Sequence, residues 1–90
     1  MKIDKIEDPI AEDIWRYTNE EGNEIESKVI VGKPEKAIDK DWYCPVFIEN
    51  FTSGVVTAYG VGPVDSLMNA MELVKNAFDK AFKDSDKKKE

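Results

Sequence analysis

No histidine occurs in the chain, and Cys44 is its single cysteine. The first fact removes the usual general base near neutral pH, the commonest metal ligand and every histidine-based triad. Together they leave too few donors for a zinc site. Cys44 has no base near it in sequence and is followed by Pro45 inside an apolar run. It therefore reads as a small core thiol rather than a nucleophile. A lone cysteine also allows no internal disulfide, which suits a reducing compartment.

Asp39 and Asp41 form a carboxylate pair of the kind that shares a proton or holds a hard cation. They lie in a lysine-rich connection without the glycine-containing spacing of a calcium loop, so the pair reads as solvated. Gly60-x-Gly62, between an apolar run and a helical pattern, is the fragment of a phosphate loop. The third glycine is replaced by Asp65, whose charge would repel an anion at a helix N-terminus. A tight strand-to-helix turn is the reading that remains. Asn50-Phe51-Thr52 matches the glycosylation sequon but carries no weight without a secretion signal. Lys87-Lys88-Lys89 is too short, and too mixed with acids, for a nucleic-acid or membrane tail. No catalytic residue, metal site or cofactor is expected, and the chain reads as a non-enzyme.

Two features are left that point to binding. The first is an acidic hairpin carrying Glu20, Glu21, Glu24 and Glu26, with no base between Tyr17 and Ser27. The second is the run Trp42 to Ile48, apolar on both parities: Trp42, Cys44, Val46 and Ile48 on one, Tyr43 and Phe47 on the other. The candidate partner-binding residues are therefore Glu20, Glu21, Glu24, Glu26, Tyr43 and Phe47.

The elements that position these residues follow from hydrophobic period. Ile14 to Thr18 is rich in β-branched and aromatic residues, as strands are. Asn19 to Asn23 suits a hairpin longer than two residues. Beyond it Ile25, Ser27, Val29 and Val31 alternate with Glu24, Glu26 and Lys28, the period of a half-buried strand. Gly32-Lys33-Pro34 ends that strand, and a charged connection through Asp41 leaves room for one helical turn around Ala37 and Ile38. Trp42 to Glu49 is the third strand; Pro45, with no N–H to donate, belongs on an unpaired side or at a bulge. Phe51 to Gly54 turns, and Val55 to Tyr59 returns as the fourth strand. Short connections favour an antiparallel meander.

One helix follows, capped either by Gly62 with Pro63 at its first position or by Asp65. Leu67, Met71, Val74, Phe78 and Ala81 recur at spacings of four, three, four and three, and Ala70, Ala77 and Phe82 widen the set, which predicts the stripe that packs on the sheet. The expected fold class is α+β: a four-stranded antiparallel sheet in the order β-β-β-β-α, with one C-terminal helix packed on one face. The domain spans 10–83, with a flexible lead-in over 1–9 and a disordered charged tail over 84–90. A single helix covers one face of a sheet. The other face is left for the Ile3/Ile6/Ile10 segment, a second copy or a partner.

Ninety residues make one domain of marginal stability, and 41% hydrophobic content is enough for a compact fold. The net charge of −6 argues against nucleic acid, because affinity for phosphate backbones comes from lysine and arginine. Nine of the acids fall between Met1 and Gly32 against four bases, so the acidity belongs to the first third of the chain. No apolar segment has the length of a signal peptide core or a membrane span, and a cytoplasmic location is expected.

From Lys28 to Phe82 the chain resembles a small bacterial family catalogued only as a domain of unknown function. The residues that carry this are Val29 to Pro34, Asp41-Trp42-Tyr43-Cys44-Pro45, and Gly62 with Asp65-Ser66-Leu67 and Ala70. At the level of fold alone, strands followed by a glycine turn and an alanine- and leucine-rich helix are similar to HicB-type antitoxins. The functional expectation is a non-catalytic protein-binding domain, its most concrete form an immunity-protein or antitoxin-like inhibitor of a basic partner. The alternative is a homodimeric small-ligand-binding or accessory domain with its pocket between sheet and helix or at the dimer seam.

Overall fold

A computed structural model describes residues 5–38 and 41–82. Ile3, Asp39 and the tail 84–90, all singled out by the sequence, lie outside the described residues. The element order is β1 (Pro9–Thr18), β2 (Glu24–Gly32), β3 (Glu35–Lys36), β4 (Trp42–Ile48), β5 (Val56–Gly60) and α1 (Pro63–Ala81). All pairings are antiparallel, and α1 packs on one face of the sheet, so the fold is α+β as the periods require.

The sheet holds five strands where four were expected, and register explains the fifth. Val29, Ile30 and Val31 of β2 pair with Ile48, Phe47 and Val46, while Glu35 and Lys36 of β3 pair with Tyr43 and Trp42. Three residues, Gly32 to Pro34, thus face two, Pro45 and Cys44. β3 is therefore the continuation of β2 along the same edge of β4 after a bulge. The helical turn expected around Ala37 and Ile38 is replaced by this short strand and by a bond from the Ala37 N–H to the Asp41 carbonyl, 2.6 Å. Pro45 sits where its missing donor is least costly. The Glu49 N–H donates to the Lys28 carbonyl at 2.9 Å, so by strand alternation Phe47 and Pro45 also turn their backbone groups toward β2. The empty donor position of Pro45 thus meets the bulge.

β1 starts at Pro9 rather than at Ile14. Pairing with β2 carries Ala11, Glu12 and Asp13 into the ladder although their own β preference is low. The connection to β2 is the five residues Asn19–Asn23, with Gly22 at φ 88, a backbone angle that favours glycine. The Asn19 side chain accepts from the N–H groups of Glu21 and Asn23, both at 2.9 Å.

The helix begins at Gly62: the first helical bond runs from the Ser66 N–H to the Gly62 carbonyl, with Pro63 at the first position. Its sheet-facing residues are small: Ser66, Ala70, Val74, Ala77 and Ala81 are buried against Cys44, Val46, Ile48, Val29 and Val31. The stripe is rotated by about 60° from the expected one, at 100° per residue. Leu67 is half-buried at its flank, while Met71 and Phe78 are 44% and 42% exposed. Small side chains let the helix lie close to the sheet, and the bulky ones are displaced to its side. There Phe78 meets Trp15 edge-on at 5.3 Å between ring centroids, and Phe82 meets Tyr17 at 5.7 Å.

Candidate functional site

Alternation along the paired strands fixes which residues share the face turned away from α1. Ser27, Val29 and Val31 are buried toward the helix, so Glu24, Glu26, Lys28 and Ile30 occupy the other side of β2. Ile30 pairs with Phe47, and Tyr43 pairs with Tyr59 and with Glu35. Glu12, Ile14 and Arg16 of β1 pair with Ile30, Lys28 and Glu26 and share the same side. The structure therefore brings Glu24, Glu26, Tyr43 and Phe47 to one face. Glu20 and Glu21 stand at the tip of the hairpin that extends it.

The central part of this face is apolar and incompletely covered. Ile6 of the lead-in reaches it: a Cβ on Gly32 would come within 2.9 Å of the Ile6 methyl group. The Lys33 N–H bonds the Asp8 carbonyl at 3.0 Å, which fixes the lead-in along the bulge. Beside it lies an open, mainly apolar depression of about 300 Å³ lined by Lys5, Ile6, Ile30, Phe47, Gly54 and Val55. Ile14 and Tyr59, on either side, are 46% and 54% exposed. Tyr43 and Phe47 are half-buried. From Ile30 to Glu24 the strand runs six residues, about 20 Å. The apolar centre and the acidic end are thus two parts of one elongated face.

Charge on the hairpin is less uniform than the sequence implies. The Arg16 guanidinium donates to the Glu26 carboxylate at 2.9 Å, with both side chains largely exposed. Glu26 is accordingly screened, and Glu20, Glu21 and Glu24 carry the hairpin's net negative charge. This pair was available to sequence reasoning through the hairpin's symmetry, since Arg16 and Glu26 lie equally far from Glu21. Ile14 and Tyr59 were missed because their parity is set by pairing that spans the whole sheet.

The other chemistry-bearing positions have structural surroundings. Cys44 is fully buried, its thiol donates to the Gly32 carbonyl at 3.3 Å, and burial raises its pKa above the ordinary thiol range. Gly60 allows close approach to the helix start, where a Cβ would stand 2.5 Å from the Ser66 nitrogen. The Asp65 carboxylate accepts from the Val61 N–H at 3.0 Å, so an anion of the chain itself occupies the helix N-terminus. Ser27, fully buried, is bonded to the Tyr17 hydroxyl and the Asn50 amide, each at 2.8 Å. Among the described residues no cluster of three or more metal-ligating side chains occurs, and no helix is long and apolar enough to cross a membrane.

No protein-family model, no curated protein and no solved structure matches this chain. The resemblance drawn from Val29 to Pro34, Asp41 to Pro45 and the helix start rests on those residues alone.

Proposed function

We propose that the chain is a non-catalytic binding domain whose sheet face opposite α1 docks a basic protein. An immunity-protein or antitoxin-like inhibitor is its concrete form. The observation that carries this reading is the shared face. Exposed Ile14 and Tyr59 and the half-buried Tyr43 and Phe47 lie in line with Glu24 and the glutamates of the hairpin tip. Apolar and aromatic anchors at the centre supply desolvation energy. Acids at one end speed encounter with a positive surface.

A photo-crosslinking residue at Phe47 identifies the partner in host extract, with the same residue at Met71, on the exposed helix flank, as the comparison. The protein captured from Phe47 is then purified, and its association rate is measured against ionic strength. The expected result is a rate that falls steeply with salt. A Glu20→Lys/Glu24→Lys double reversal should lower it several-fold with little change in stability, because exposed charges contribute little to folding. The same reversal at Asp84 and Asp86 should leave the rate unchanged. Capture through Met71 alone, or equal small effects at both pairs of sites, overturns the proposal.

A further inference from the structure

β1 forms one edge of the sheet. β1 is ten residues long and ends the strand order, with β2 as its single neighbour among the described residues. Two observations show which of its backbone groups point outward. The Asn19 N–H bonds the Asn23 carbonyl, so the odd-numbered residues of β1 turn toward β2 and the even-numbered ones turn away. Lys28, the register partner of Ile14, directs its carbonyl to Glu49 and its N–H to the Glu49 carboxylate, away from β1. Glu12, Arg16 and Thr18 thus turn their N–H and carbonyl groups, and Ile14 its carbonyl, toward an edge that no described strand pairs. At Ile14 the N–H is held by the side chain of its own neighbour, Asp13, at 2.8 Å.

A free edge of this length normally carries a device against pairing. Here Pro9 and a bulge blunt the beginning of the strand, and Ala11 to Thr18 continues in regular register. The charges at the outward-facing positions of that run are of opposite sign and symmetric about Ile14: Glu12 two residues before it, Arg16 two residues after it. We infer that β1 pairs antiparallel with β1 of a second copy about a two-fold axis at Ile14. In that register Ile14 opposes Ile14 of the second copy, and Glu12 and Arg16 each oppose the other's counterpart. All three are outward-facing positions, so the pairs that match in charge are also the pairs that exchange backbone hydrogen bonds. Registers centred one outward position away would set Glu12 against Glu12 or Arg16 against Arg16. Both are repulsive.

The exposed Ile14 side chain, on the face opposite α1, is covered by its equivalent in this arrangement. The two copies would form one continuous sheet with both helices on the same side. The pairing shares Ile14 with the face proposed for the basic partner, and the experiments separate the two. Sedimentation of the full chain over a concentration series should show a monomer–dimer equilibrium. Glu12→Arg alone, or Arg16→Glu alone, should weaken the dimer roughly tenfold or more, since each change acts twice across the two-fold. The combined Glu12→Arg/Arg16→Glu variant should restore it. Amide exchange at Glu12, Ile14 and Arg16 should slow with concentration in the unaltered chain and in the combined variant. Glu12 makes no side-chain hydrogen bond or ion pair among the described residues, so Glu12→Arg tests the interface without touching the Arg16–Glu26 bridge. A chain that stays monomeric throughout, or a dimer indifferent to the single reversals, overturns the inference. So does a combined variant that fails to recover.

Discussion

Gly32 and Pro45 face each other across the interrupted strand so closely that a Cβ on Gly32 would stand 2.6 Å from the Pro45 ring. The contact explains why the bulge carries glycine: backbone and proline ring meet where a ladder bond is missing. The ring belongs to a buried position of β4 and has little freedom to give.

Gly32→Ala should therefore destabilise the fold by about 1–3 kcal/mol, as overpacked cores do. Gly60→Ala should cost more, because its Cβ would meet helix backbone at Ser66 rather than a side chain. Denaturant midpoints of the two variants, at unchanged m-value, check both the sign and the order.

On α1 the expected costs follow burial rather than side-chain size. Phe78 is 42% exposed and packs on the rings of Trp15 and Phe82. Phe78→Ala should cost about 1–2 kcal/mol, below the 3–5 of a fully buried phenylalanine. Ala70 is fully buried, and Ala70→Leu should cost about 1–3 kcal/mol by forcing helix and sheet apart. A larger loss from Phe78→Ala than from Ala70→Leu on thermal or denaturant melting would return the bulky stripe to the centre of the core.

The strand pattern was legible because alternation in Glu24–Val31 assigns each side chain to a face, while Trp42–Ile48, apolar on both parities, reads as a strand by its composition. Parity also separates Tyr43 and Phe47 from Cys44, Val46 and Ile48, and burial in the structure shows that the second set faces the helix. The rotation of α1 was not legible. The expected stripe contains Ala70, Val74, Ala77 and Ala81, but its centre lies on the large residues, and only the closeness of sheet and helix moves it to the alanines. β3 escaped notice because two residues carry no period. In the candidate site, the acidic residues and the two aromatics could be named one by one. Their common face required the registers of three strand pairs.

Cys44 gives the fold a dependence on alkaline pH. Its thiol is raised by burial, so the native state holds that proton more tightly than the unfolded chain does. The contribution is complete below the unfolded-state value, about 8.5, and is lost as pH rises through the raised native value. Stability measured above about pH 9 should accordingly fall more steeply for the native sequence than for Cys44→Ala. A thiol reagent at neutral pH should label Cys44 at the rate of unfolding rather than at the rate of a free thiol.

Beyond Ser27 the two strands of the hairpin pair only with each other among the described residues, since β2 meets β4 at Val29, Ile30 and Val31. The ribbon from Thr18 to Glu26 is anchored at its base, where Ser27 is bonded to Tyr17 and Asn50 and Tyr17 packs on Phe82. Its tip can fray and reclose without disturbing the helix or the remaining strands. Substitutions at Glu20, Glu21 and Glu24 are thus uncoupled from the folding requirement that constrains Gly32, Cys44 and Ala70. A lineage could redraw the charge of this tip to follow a changing partner while the scaffold beneath it stays the same.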